Sequence, residues 1–372
     1  MILSKKVRLK PTEEQEKQLW KSSGVARWAY NWALEKQEES YKDGGKFISH
    51  GVLRKELTTM KKTNEYSWLY DVSNNITKQA IKDLCEAYKR FFTGKSNKPK
   101  FKSRKHSKPT FYNDNERLKV KENSVIIEKV GWVKTVEKIP NSDKYTNPRI
   151  SFDGKYWFIS VGIETKTEKQ QLTNESIGID IGIKELATCS DGQIFKNINK
   201  TSIVKKIEKR LRMLQRKVSR KYEMNKIGTK FVKTNNIIKI EKKIKLLYRK
   251  LTNIRDNHIH QTTNAIAITK PCRIVMEKLN VKGMMKNRHL SKSIAKQRFH
   301  DFKEKMKYKC EKYGIEFVEA DMWYPSSKIC SCCGNIKKDL KLSDRVYKCD
   351  CGNVIDRDLN AAINLSRYKL AE

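Results

Sequence analysis

Between Ser176 and Gly192 the chain sets isoleucines at 177, 179, 181 and 183 in alternation with Gly178, Asp180 and Gly182. A period of two is the side-chain period of a strand, so the isoleucines point into a core and Asp180 points the other way. Glycines on either side of a carboxylate clear space for a ligand to approach. A carboxylate held on such a strand is costly unless something offsets its charge. A second acid closes the apolar run Arg273-Ile274-Val275-Met276-Glu277. A third pair, Asp356 and Asp358, precedes Leu359-Asn360-Ala361-Ala362-Ile363-Asn364-Leu365, where Ala361 and Ala362 are small enough for a helix to lie close on a sheet. Asp358 is expected to open that helix, and one of the two acids has an N-cap as its alternative role. Asn360 and Asn364, four apart, share a helix face. Carboxylates gathered at one sheet edge bind Mg²⁺, a hard cation that prefers oxygen. Two such ions about 4 Å apart suit in-line displacement at a phosphodiester.

A separate constellation is built from thiols. Five of the nine cysteines fall between 330 and 351, in the order Cys330, Cys332, Cys333-Gly334, then Cys349-x-Cys351-Gly352. Two cysteine turns, each followed by glycine, form a tetrahedral thiolate site for Zn²⁺, and four thiolates leave no open position, so the site is structural. Glycine after the second cysteine admits the left-handed turn of such a knuckle. The second pair is one residue shorter than the usual spacing, so Cys332 competes with Cys330 and Cys333 as a ligand. Clustered cysteines indicate metal in a reducing compartment, not disulfides.

The elements that carry these residues read as follows. Val7 and Leu9 alternate with Arg8 and Lys10 in a first strand. Thr12 and Gln15 form a capping box for the helix that follows. Trp28 and Trp32 share a face of it, as core residues. Further helices are predicted over 49–62 and 76–92. From 94 to 111 the chain becomes a basic loop in which Lys98, Lys100, Lys102, Arg104, Lys105 and Lys108 surround Phe101, a pattern suited to a nucleic-acid backbone or to a solvated linker. Residues 117–165 read as strands, with Asp153-Gly154 turning a hairpin, and a small antiparallel barrel is expected. Leu211, Leu214 and Val218, then Ile237, Ile240, Ile244 and Leu247, form the stripes of a basic helical hairpin with Gly228 between its arms.

Bulk composition names the class of partner. Lys plus Arg is 81 against 42 Asp plus Glu, a formal net charge of +39 in 372 residues. A compact chain so charged repels itself, and a polyanion relieves the repulsion. No secretory signal and no membrane span are expected, and the setting is expected to be the bacterial cytoplasm, at the nucleoid.

Taken in order, these motifs resemble those of the TnpB family, the transposon-encoded nucleases akin to type V CRISPR effectors. The resemblance spans nearly the whole chain: RLKPTEEQEKQLW and ARWAYNWAL, KRFFTGKSNKPKFKSRK, IGIDIGIKELATCSDG, IVMEKLNVKGM, WYPSSKICSCCG and CGNVIDRDLNAAINL. It implies an α+β multidomain fold. A β-barrel wedge domain covers 1–10 and 95–172, with a helical recognition domain at 11–94. A split RNase H-like (RuvC-like) nuclease core covers 173–325 and 353–372, interrupted by a zinc ribbon at 326–352. It implies Asp180, Glu277 and Asp358 as catalytic Mg²⁺ ligands, with Asp356 the alternative third, and Cys330, Cys333, Cys349 and Cys351 as zinc ligands. Lys98, Lys100, Lys102, Arg104 and Lys105 are the expected backbone contacts, and Gln79 the expected contact to a short transposon-adjacent DNA motif. The implied activity is RNA-guided cleavage of DNA beside that motif, with a guide RNA derived from the transposon end and target DNA as partners. Sequence reading is then delegated to base pairing, which fits diffuse positive charge. A guided repressor that does not cut and a strand-joining transposase are the alternatives.

Overall fold

The computed structural model describes residues 1–165, 171–341 and 344–368. The ends of two expected segments, 166–170 and 369–372, lie outside the described residues. The chain forms two compact units, the first Met1–Thr165 and the second made by the described residues from 171 onward. No described helix is long and apolar enough to cross a membrane.

In the first unit, strand β1 (Ile2–Lys10) leads into a 30-residue helix α1 (Glu13–Lys42), opened by the Thr12/Gln15 capping box. Helices α2 (His50–Met60) and α3 (Asn74–Phe92), with a 3₁₀ segment Asn64–Asp71 between them, follow it. Strands β2 (Thr110–Tyr112), β3 (Val120–Lys121), β4 (Ser124–Ile127), β5 (Gly131–Thr135), β6 (Tyr145–Phe152) and β7 (Trp157–Glu164) follow. The ladder is antiparallel in the order β2-β6-β7-β1-β5-β4-β3. β1 pairs with β7 over Ile2–Arg8 and with β5 over Leu9–Lys10, so one strand serves both halves. The ladder ends in β2 and β3, and among the described residues no hydrogen-bonded register joins those two short strands. Asp153-Gly154 does turn the β6–β7 hairpin. The loop runs to Tyr156, whose N–H, like that of Lys155, donates to Asp153 Oδ1. One core joins Leu19, Ala29, Leu34, Ile81 and Leu84 of the helices to Val125, Val133, Ile159 and Val161 of the sheet. Trp28 stacks on Trp32 with ring centres 6.3 Å apart, a packing role.

The second unit opens with β8 (Ser176–Ile181), β9 (Glu185–Cys189) and β10 (Ile194–Lys196), an antiparallel meander. Helix α4 (Ser202–Met224), a two-rung hairpin of β11 (Lys226–Ile227) and β12 (Lys230–Phe231) around Gly228, and helix α5 (Asn235–Ala267) come next. Val204, Ile207 and Leu211 of α4 pack with Leu251 of α5, which is the expected basic helical hairpin. β13 (Arg273–Glu277) returns to the sheet. After α6 (Val281–Met284), α7 (Ser291–Gln297) and α8 (Phe299–Tyr313), β14 (Glu316–Ala320) joins it. The sheet order is β10-β9-β8-β13-β14, with β8, β13 and β14 parallel. β15 (Val346–Lys348) and β16 (Val354–Asp356) then form a small ribbon that runs directly into helix α9 (Arg357–Ser366).

The two faces of this sheet separate as the alternation in β8 requires. Ile177, Ile179, Ile181, Ile274 and Met276 face a core made with Ile259 and Ile266 of α5, Ile294 of α7 and Phe302 and Met306 of α8. The opposite face takes α9, where Val275, Val318 and Ala320 meet Leu365. Gly178 lies on that second face. A Cβ built there would fall on the carbonyl oxygen of Ala362 and the amide nitrogen of Ser366. The glycine therefore makes room for a helix backbone, and the expectation that it opens space for a ligand is corrected. Both blocking groups are main chain and cannot swing aside. Gly178→Ala is expected to destabilise the protein by about 3 kcal/mol, a loss of roughly 6–12 °C in Tm. An unchanged melting curve would contradict this packing.

Candidate active site

Asp180 shares the parity of Gly178, so it projects from the α9 face of β8. Register places Glu277 beside it. Val275 pairs with Gly178 and Met276 with Ile179, so Glu277 stands level with Asp180 at the carboxyl ends of adjacent parallel strands. Ala320 pairs with Glu277 on the other side and offers only a methyl group. The third acid comes from α9. Asp356 accepts from the N–H of Asp358 at 2.9 Å and of Leu359 at 3.3 Å, so Asp356 is the N-cap, and Lys184 approaches its carboxylate at 3.7 Å. That leaves Asp358 in the first turn, half-buried, with the Arg357 guanidinium at 3.4 Å. The two acids that sequence left interchangeable thus have different surroundings.

Electrostatics ties the three together. Burial pushes the Asp180 carboxyl up to about 8, and the negative charges of Asp358 and Glu277 push in the same direction against Arg357. Burial also raises Glu277. Carboxylates that repel one another at a sheet edge, with one guanidinium to oppose them, form a donor set that a hard cation would neutralise. Among the described residues, only the four cysteines are gathered tightly enough for their ligand atoms to share one ion; the carboxylates are not drawn in that far.

Those cysteines are Cys330, Cys333, Cys349 and Cys351, with all four sulfurs within 4.8 Å of one another. Cys330 Sγ lies 3.7 Å from Cys351 Sγ, and Cys333 Sγ 3.6 Å from Cys349 Sγ. Cys332 is exposed and its sulfur lies outside this group of four. Gly334 and Gly352 adopt φ of 79° and 86°, and their N–H groups close the turns onto the carbonyls of Cys330 and Cys349. Burial alone would raise the Cys330 thiol. Hydrogen bonds from the Cys333 N–H, the Asn353 amide and the Cys332 N–H outweigh it and bring the thiol down to about 6, whereas the neighbouring Cys333, Cys349 and Cys351 thiols are raised. The sulfur geometry and the donor chemistry fit structural Zn²⁺.

In the first unit the expected nucleic-acid contacts do not behave alike. Lys98 is largely exposed and reaches Glu38 at 3.4 Å. Lys100, Arg104 and Lys105 are exposed in the loop. Lys102 is turned inward, its ammonium 3.4 Å from the centre of the Tyr30 ring and its backbone held at both ends by the Asn31 side chain. Gln79, half-buried on α3, donates to Asp83, whose carboxylate takes a two-pronged contact from Arg149 at 2.6 and 2.8 Å. Asp83 and Arg149 are not legible as partners in the sequence, because they lie 66 residues apart and only the folded chain brings them together.

Comparison with known proteins agrees with this architecture. Three family models match: "Helix-turn-helix domain" of OrfB_IS605 over residues 1–46, "Probable transposase" OrfB_IS605 over 158–288, and "Cas12f1-like, TNB domain" over 299–365. The first of these segments is folded as a strand and one long helix. A Streptomyces pristinaespiralis protein named "Putative RNA-guided DNA endonuclease" is 30% identical over 98% of this chain and 89% of its own length. An Escherichia coli K12 protein, "Putative RNA-guided DNA endonuclease InsQ", is 29% identical over 98% of this chain and 91% of its own. Among solved structures, the protein of a Cas12f1–sgRNA–target DNA complex superposes with a TM-score of 0.57 at 16% identity, covering 95% of this chain and 82% of its own. The fold is therefore mixed α/β and Cas12f-like, with a zinc-ribbon segment at its carboxyl end. By this full-length relationship, the chain belongs to the TnpB family, related to the type V CRISPR effectors.

Proposed function

We propose that this protein is a Mg²⁺-dependent, RNA-guided DNA endonuclease. Asp180, Glu277 and Asp358 are its catalytic acids, in an RNase H-like (RuvC-like) core formed by 173–325 and 353–372. The observation that carries the reading is the convergence of three acids from two parallel strands and a helix on one sheet edge, in a family member of net charge +39. The names of the relatives supply the substrate class: guide RNA and DNA. Residues 1–10 and 95–172 serve as the wedge and 11–94 as the recognition part. The basic loop with Lys98, Lys100, Arg104 and Lys105 follows the backbone, and Gln79, oriented by Asp83, faces the adjacent motif. Lys102 acts there through its hold on Tyr30 and the loop.

Bound Mg²⁺, in a pair, would supply a polarised phosphoryl oxygen and an activated water. The chain's own contribution is to hold the acids still. Asp180 is held by antiparallel pairing with Thr188 of β9, Glu277 by parallel pairing with Ala320 of β14, and Asp358 by the cap that Asp356 gives α9. Arg357 offsets part of their charge before any ion arrives. The excess of Lys and Arg elsewhere draws the polyanion in, while the acids keep the cleavage point itself negative.

The deciding experiment is cleavage of a labelled duplex by protein purified with its co-expressed RNA, with and without a matching guide, in Mg²⁺ and in chelator. Guide- and metal-dependent cutting is the expected result. Guide-dependent binding without cutting would point to a repressor, and guide-independent strand joining to a transposase.

A further inference from the structure

Helix α9 is gripped on two sides. One side lies on β8, with Gly178 beneath Ala362 and Leu365 in the sheet-face cluster. The other side carries Asn360 and Asn364, which are 0% and 4% exposed and so must find their partners inside the protein. Those partners are the first zinc knuckle. Asn360 Oδ1 accepts from the Ser331 N–H at 2.9 Å, and its Nδ2 donates to the Ile329 carbonyl at 2.7 Å. Asn364 Nδ2 donates to the carbonyls of Ser326 at 2.8 Å and Ile329 at 2.7 Å. The Arg367 guanidinium donates to the Ser331 carbonyl. Ile329 and Ser331 flank Cys330, so α9 holds the peptide on each side of a zinc ligand. Residues 360, 364 and 367 make one stripe of the helix, and 358, 362 and 365 make the other.

We propose that Asn360 and Asn364 are positioning residues: they take the register of α9 from the zinc knuckle and so set where Asp358 stands against Asp180 and Glu277. This rests on the reading of those acids as divalent-cation ligands. A ten-residue helix has little stability of its own. On its sheet side it offers Ala361, Ala362 and Leu365, apolar contacts that fix distance but resist sliding poorly. Directional hydrogen bonds on the opposite side supply the missing constraint. The ribbon is thereby tied mechanically to the nuclease centre by side-chain amides, two residues from the acid in question.

The test uses the RNA-bound protein, with Mn²⁺ as the probe. Mn²⁺ affinity is read by electron paramagnetic resonance, zinc content by elemental analysis, target binding by filter assay, and the Mg²⁺ midpoint by single-turnover cleavage. Asn360→Ala should keep its zinc and its target binding, yet weaken Mn²⁺ affinity about tenfold and raise the Mg²⁺ midpoint by a similar factor. Excess cation should restore most of the rate. A purely structural role would lower the melting temperature or the active fraction and leave the midpoint alone, and that result would overturn the proposal. Should Asn360→Ala fail to fold, Asn364→Ala and Arg367→Ala read the same midpoint, and its constancy in both would be equally decisive against it. Mn²⁺ binding that survives Asp180→Asn in the otherwise native complex would instead overturn the assignment of the acids, and the positioning role with it.

Discussion

Asp180→Asn should abolish guided cleavage, by at least roughly a thousandfold, and leave guide-dependent target binding within about twofold. The amide keeps the size of the side chain and its place on β8, so the sheet and the cover of α9 are undisturbed. What it removes is one charged oxygen donor from the set that includes Glu277 and Asp358. Asp180 lies at a sheet edge among other acids, where phosphate would be repelled and not held. Binding energy therefore comes from elsewhere in this basic chain. Retained cutting in Mg²⁺ would end the assignment.

The same substitution should change stability in the opposite sense. Burial first, and then the charges of Asp358 and Glu277, push the folded-state pKa of Asp180 up to about 8, whereas an unfolded aspartate titrates near 3.9. A raised folded-state pKa means that the neutral form is favoured by folding. Its contribution is fully present below about pH 4 and is lost as pH rises through about 8. The metal-free protein should therefore lose stability across that interval, and Asp180→Asn, with no proton to lose, should hold steadier. At pH 8 the variant should be more stable by about 2 kcal/mol, well below the full shift at 1.36 kcal/mol per pKa unit because solvent reaches part of the site. Added Mn²⁺ should raise the wild-type melting temperature and do little for the variant. Thermal scans at pH 5 and pH 8, with and without the ion, check both signs. A variant less stable than wild type at pH 8 without metal would mean that Asp180 is held by partners and not strained by neighbours.

How far the site could be read in advance depends on whether a residue's partner is local. The alternation of Ile177, Ile179 and Ile181 with Asp180 is a local pattern, and it separates the faces of β8 correctly. Gly178 was legible as a close approach but not as to what approaches, since α9 reaches it from nearly two hundred residues away. Asp356 and Asp358 look alike on paper, because either can cap a helix. The choice depends on which carboxylate turns back to the N–H groups of 358 and 359. Lys102 sits in a run of cations and reads as one more phosphate contact, yet Tyr30 and Asn31 draw it inward. The barrel is legible only strand by strand, because closure depends on register between β2 and β3, whose three and two residues carry almost no pattern. Asn360 and Asn364 were visible as a shared face, but nothing near them in sequence names the knuckle they hold.

Loss of zinc should act well beyond the ribbon. Cys333→Ser is expected to remove most of the bound zinc and lower the melting temperature of the protein by roughly 10 °C, equivalent to about 3–5 kcal/mol. Guided cleavage should fall with it. The four thiols are brought together by short turns, an Ile329–Ile336 bridge and a three-residue pairing of β15 with β16, and so small a ribbon has too little hydrophobic surface to hold that geometry unaided. Tyr347, fully buried with its hydroxyl on the Lys328 carbonyl, is the main apolar contribution on the strand side. Without the ion, thiolates drawn together would repel, and the turn around Cys330 would relax. That turn supplies the carbonyl of Ile329 and the N–H of Ser331 on which α9 is hung, so its relaxation is transmitted to the helix that carries Asp358. Cys332→Ser is the control. Its sulfur is outside the set, and zinc content, melting temperature and cleavage should all stay at the wild-type level. Normal stability in zinc-free Cys333→Ser would show that the ribbon folds without its metal, and equal zinc loss in Cys332→Ser would show that the ligand set is drawn wrongly.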